Sequence, residues 1–199
     1  MAINLANNSS LANITSLPAS ITGGGLTLVS SQTASASASL EFSMDSTYDS
    51  DVFKYINMHP ATNDVLLQIN FSTDNGANYN VTKTTTFFTA RHRESDAATN
   101  LDYVTNRDLA QSTANQTINY DVGNLNDEDV CGTLTLYNPS SSTYVKHFIA
   151  RSIGNGQAEE CQDSFTAGYA NTTSPITNIK FQMSSGNIDD GIIKMYGVA

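Results

Sequence analysis

Residues 33–44, Thr-Ala-Ser-Ala-Ser-Ala-Ser-Leu-Glu-Phe-Ser-Met, alternate apolar and polar side chains without a break. A period of two is the signature of a half-buried strand, so this run commits the chain to sheet. Ala34, Ala36 and Ala38 share a predicted face with Leu40, Phe42 and Met44, while Ser35, Ser37, Ser39, Glu41 and Ser43 line the other. The buried face thus runs from small to large, and its alanine end leaves room for a close neighbour. At about 3.3 Å per residue the run predicts a strand of roughly 40 Å, about twice the usual length.

A chain of 199 residues can bury one sizeable core, and sandwiches and barrels of this size are commonly single domains. Nine basic residues stand against 19 acidic ones, a net charge of −10 that repels nucleic-acid phosphates and anionic headgroups. Nucleic acid is therefore excluded as a partner. No apolar window is long enough to span a bilayer, and the opening residues lack a basic region followed by an apolar core. The expectation is a chain without membrane insertion that is assembled in a cytoplasm. Cys131 and Cys161 have no second Cys or His at metal-site spacing and read as two reduced thiols.

Residues 1–25 differ from the rest. Ile3, Leu5, Leu11, Ile14, Leu17 and Ile21 recur without a clean period, and the stretch ends in Gly23-Gly24-Gly25. It reads either as an arm on a glycine hinge that lies against another surface, or as an irregular lead-in to the first strand. Residues 26–199 form the predicted domain. Strands are expected over 26–31, 33–44, 52–58, 65–73, 79–90, 117–122, 132–138, 143–151, 164–170, 178–184 and 192–198. Residues 65–73 and 79–90 read as a hairpin closed by Asp74-Asn75-Gly76, and 132–138 and 143–151 read as neighbours. Residues 52–58 read as buried on both faces, and 102–112 as a short helix or turn. Many strands with hardly any helical period predict an all-β antiparallel sandwich of jelly-roll type with an extended N-terminal arm.

Chemistry is sparse. Arg91-His92-Arg93-Glu94-Ser95-Asp96 offers His92 as a base with Glu94 or Asp96 as partner, but no nucleophile motif accompanies it, so the cluster reads as a solvated rim. His59 and His147 read as structural. Asp45, Asp49 and Asp51, the run Asp127-Glu128-Asp129, and Asp189-Asp190 could offer oxygens to calcium, yet none matches a defined loop spacing. A sugar platform would have to use Tyr48, Tyr79, Tyr103, Tyr144 and Tyr169, because the chain has no Trp. A glycan hydrolase would need two of Glu41, Glu94, Asp96 and Glu128 in one groove. The residues assign no cofactor and no catalytic group.

Several segments carry a resemblance: residues 11–20 (LANITSLPAS), 31–40 (SQTASASASL), 56–62 (INMHPAT), 108–113 (DLAQST), 137–148 (YNPSSSTYVKHF) and 183–198 (MSSGNIDDGIIKMYGV). Together they resemble virion structural proteins encoded by tailed bacteriophages, especially marine ones. The resemblance implies a component of the tail, its fibres or the capsid surface, with other virion proteins and copies of itself as partners. It carries over no functional residue. On this reading the arm docks through Ile3, Leu5, Leu11, Ile14 and Leu17, and the small face of Ala34, Ala36 and Ala38 is the surface it or a neighbour approaches. The alternative is a tail-fibre module that binds host surface glycan.

Overall fold

The computed structural model describes residues 25–44 and 46–199. Their twelve strands are β1 (Thr27–Ser37), β2 (Leu40–Ser43), β3 (Ser50–Pro60), β4 (Leu67–Ser72), β5 (Lys83–Arg93) and β6 (Thr99–Tyr103), followed by β7 (Gln116–Thr117), β8 (Val130–Tyr137), β9 (Lys146–Gly156), β10 (Glu160–Ala170), β11 (Asn178–Met183) and β12 (Ile188–Val198). Among the described residues there is no helix. The strands form two antiparallel sheets, one of eight in the order β1-β12-β3-β8-β9-β10-β5-β6 and one of four in the order β2-β11-β4-β7.

Aromatic rings join the sheets. Phe42 of β2 and Phe181 of β11 meet Phe53 of β3 at centroid separations of 5.6 and 5.5 Å, and Phe71 of β4 meets Phe148 of β9 at 5.3 Å. All five rings are buried. The two layers therefore pack face to face, with alternate residues of each strand turned into one apolar core. Gly132 is closely enclosed. A Cβ there would collide with the Arg151 carbonyl oxygen and the Tyr55 ring, and without it the Tyr55 hydroxyl reaches Ser152 Oγ at 2.6 Å.

The long alternating run is not one strand. β1 ends at Ser37 in the large sheet and β2 begins at Leu40 in the small one, so the chain changes layers at Ala38 and Ser39. Ala36 takes φ +48° within this corner, where its small side chain keeps the steric cost low. Leu40 and Phe42 are buried as expected. Of the three alanines only Ala34 is buried, and Ala36 and Ala38 are exposed, so they make no common face. The arm residues Ile3, Leu5, Leu11, Ile14 and Leu17 lie outside the described residues.

The expected hairpin is also corrected. Its turn exists, with Asn75 at φ +60° and Gly76 at φ +83°. However, β4 pairs with β11 and β7, and β5 pairs with β10 and β6 in the other sheet. Residues 77–82 instead carry the chain between layers. β3 is one-sided: Phe53 and Tyr55 face the core, Ile56 is exposed, and a bulge at Asn57, with φ +51°, returns Met58 inward. The expected pairing of residues 132–138 with 143–151 is present as β8 against β9.

Candidate assembly surface

Beyond β8 the large sheet continues through β9, β10, β5 and β6, which are two sequence hairpins, β5–β6 and β9–β10, laid side by side. Beside buried Phe87 and Phe148, much of this extension is patterned inside out. Its buried positions include Ser152, Gln162, Ser164, Thr166, Lys83, Thr85 and Thr89, whereas Ile149, Ile153, Phe165, Phe88, Ala167 and Ala90 alternate onto the outer face. The inward polar groups are matched by the segment 104–122, which crosses beneath them. Thr85 Oγ1 donates to Gln116 Oε1 at 2.6 Å, Thr166 Oγ1 to the Thr117 carbonyl at 3.3 Å, and Ser152 Oγ to the Ile118 carbonyl at 2.5 Å. Gln162 Nε2 donates to Asp121 Oδ1 at 2.6 Å, while burial pushes the Asp121 carboxyl upward in pKa. These bonds satisfy the hydroxyls and amides, so the polar interior is a stable arrangement.

Register fixes the outer face as rows. One runs Thr133–Arg151–Phe165–Phe88–Tyr103 across five strands, and the next runs Cys131–Ile153–Asp163–Ala90–Leu101. Phe165 and Phe88 stack at 4.7 Å with planes 6° apart, and the Arg151 guanidinium lies 4.9 Å from the Phe165 centroid. Arg151 also grips Asp163 through two bonds of 2.9 and 2.7 Å. That pair neutralises the only two acidic or basic side chains in these rows. Ile149, Ile153, Tyr103 and Leu101 remain 46, 52, 55 and 76% exposed. Contiguous apolar exposure of this kind marks an interaction surface more often than a solvated one.

Ion pairs stiffen one end of the extension. Glu160 of β10 is buried and takes Arg91 at 3.3 Å and Arg93 at 3.5 Å, and Arg91 also reaches Asp102 of β6 at 3.0 Å. Arg91 lies 4.1 Å from the Tyr120 ring centroid as well. Two guanidiniums on one carboxylate offset the cost of burying it, and the same contacts tie β6 and the underlying segment to β5.

The residues with possible chemistry do not converge. His92 meets Asp96 at 3.0 Å, both largely exposed, on the rim of a groove of about 640 Å³ floored by Cys131, Cys161 and Ile153. Cys161 stands opposite His92 in the β10–β5 register, yet no hydrogen bond joins the thiol to the imidazole among the described residues. The two cysteines are free, and β9 lies between their strands, a separation of about 10 Å that exceeds the roughly 7 Å a disulfide permits. Among the described residues no group of three or more His, Cys, Asp or Glu could hold a metal ion, and Asp45 lies outside them. The tyrosines are dispersed: Tyr79 donates to Glu41, Tyr103 donates to Asp108, and Tyr169 lies beside His147.

The outer face was absent from the sequence reading. Its signal was present in the alternation of Ser152, Ser164 and Thr166 with Ile153 and Phe165, but alternation alone does not say which side turns inward. Compared with known proteins, the chain matches no family model, no curated protein and no solved structure.

Proposed function

We propose that this protein is a non-enzymatic structural component of a bacteriophage virion, part of the tail, its fibres or the capsid surface, that assembles in multiple copies. The observation that carries this reading is the extension, where Ile149, Ile153, Phe88 and Phe165 face outward while Thr85, Ser152 and Thr166 are buried and bonded. A surface of that composition gains most when another protein covers it. Partners are copies of the same chain and other virion proteins, and neither cofactor nor nucleic acid enters the proposal.

The fold is read as a jelly roll with two insertions. Supporting this, β1 pairs with β12, β2 with β11, β3 with β8 and β4 with β7, so the first four strands pair outside-in with four from the second half. β1 to β4 alternate between the two sheets, and so do β7, β8, β11 and β12, as in a hairpin rolled on itself. β5–β6 and β9–β10 are the insertions, and their outer face is the surface described above. For a glycan-binding tail module the ring faces matter, and at Phe165 both are occupied, by Phe88 and by Arg151. No observation on this face favours that second reading.

Quantitative mass spectrometry of purified particles from a tailed phage that carries this gene tests the proposal. The expected result is the chain in the particle at a fixed, symmetric copy number. Its absence from particles would overturn the proposal.

A further inference from the structure

We infer that the outer face of β8, β9, β10 and β5 receives residues 1–24 of a neighbouring copy of this chain, which makes the contact heterologous. The inference rests on the assembly reading above and names the two surfaces that meet. Three observations carry it.

The first is the face itself. Ile149, Ile153 and Phe88 are exposed, and the charged pair within their rows, Arg151 with Asp163, is internally neutralised. The ligand that suits such a floor is an uncharged apolar segment. The second is the composition of residues 1–25, which contain no Asp, Glu, Lys or Arg and present Ile3, Leu5, Leu11, Ile14, Leu17 and Ile21. They open the longest uncharged stretch, residues 1–40, of a chain whose charges are mostly acidic, so the chain itself contains the complementary segment. The third is where that segment attaches. Residue 25 leads into β1, which ends the eight-stranded sheet at the edge opposite β6. Four strand spacings, about 19 Å, separate β1 from β9, and six, about 29 Å, separate it from β5. Twenty-four residues reach about 80 Å when extended, so length is ample. A copy placed with its β6 edge beside that β1 offers its β5 and β10 two and three strand spacings away, nearer than the chain's own β5 and β10. Such head-to-tail contacts close into rings or continue as filaments.

Mutual complementation between full-length variants tests the inference. The arm variant carries Leu11→Asp and Ile14→Asp and keeps an intact face. The face variant carries Ile149→Asp and Ile153→Asp and keeps an intact arm. Light scattering after size exclusion should give the unmodified chain a mass above one protomer, each variant alone the mass of one, and an equimolar mixture of the two a heterodimer of two chains. Circular dichroism should match the unmodified chain in both variants, and in the face variant both substituted positions, Ile149 and Ile153, are exposed. A mixture that stays monomeric overturns the inference, pointing to an arm that folds back on its own face, and an arm variant that keeps its oligomeric mass overturns it by pointing to faces that meet each other. A monomeric unmodified chain, or a face variant that keeps its oligomeric mass, overturns it too. Failure here with the chain still present in particles would remove this contact alone, whereas absence from particles would remove the virion reading.

Discussion

Lys83 opens β5 with its ammonium group inside the protein, where Nζ donates to Asn70 Oδ1 at 2.6 Å and to the Val81 carbonyl at 2.7 Å. Neither acceptor is a carboxylate, and burial lowers its pKa from 10.5 to about 8. The sign of the pH effect follows. Between those values the unfolded chain holds a proton that the folded chain has released, so stability rises with pH through this window, by at most about 1.4 kcal/mol per pH unit. Burial also pushes the Tyr55 hydroxyl upward in pKa, which reverses the slope once the unfolded tyrosine ionises near pH 10. Urea titrations of the unmodified chain at pH 7.5 and pH 9.5 should therefore show a gain that Lys83→Met loses; equal slopes in the two proteins would contradict the assignment. Gly132 supplies a second test at this scale. Gly132→Ala puts a methyl group against the Arg151 carbonyl and the Tyr55 ring, and an overpacking cost of about 1–3 kcal/mol is expected in the same titration. Lys83 was legible as a charged residue at the start of a strand, but not as a buried one. Burial comes from its neighbours across the sheet, above all Asn70, which lies in the opposite layer.

At the scale of elements, the core between the sheets and the outer face of β9, β10 and β5 differ in what they contribute to the single chain. Phe181 sits among Phe42, Phe53 and Tyr55 at centroid distances of 6.2, 5.5 and 6.4 Å, and truncation to Ala should cost about 3–5 kcal/mol of unfolding free energy. Ile153→Asp on the outer face should change it by no more than about 0.5 kcal/mol at concentrations where the chain is monomeric. Comparable losses in both would place Ile153 in the core and end the description of an outward apolar face. Strands were the most legible elements, because period two survives in the sequence whatever the partner. Partners were less so. Asn75-Gly76 forms its turn, but the slots beside β4 are taken by β11 and β7, which arrive from far along the chain. The corner at Ala36–Ser39 was hidden for a related reason: alternation resumes in phase on the far side, so a change of sheet reads as one uninterrupted strand.

For the whole molecule, the outside-in pairing of eight strands leaves a compact two-layer body, and the inserted hairpins widen one layer past the other. That asymmetry gives the protein its exposed apolar face, and the segment 104–122 supplies from beneath the hydrogen bonds the widened layer needs. The sequence carried the all-β class through its alternation and left the face illegible, since the face depends on which hairpins lie beside β8. The account's central claim is that this face is an assembly contact in a virion. Cryo-electron microscopy of the purified particle tests it most directly, at a resolution that traces the chain around Ile149, Ile153, Phe88 and Phe165. The account predicts protein density from another chain covering those four side chains in every symmetry-related copy. A map in which they face solvent would contradict it.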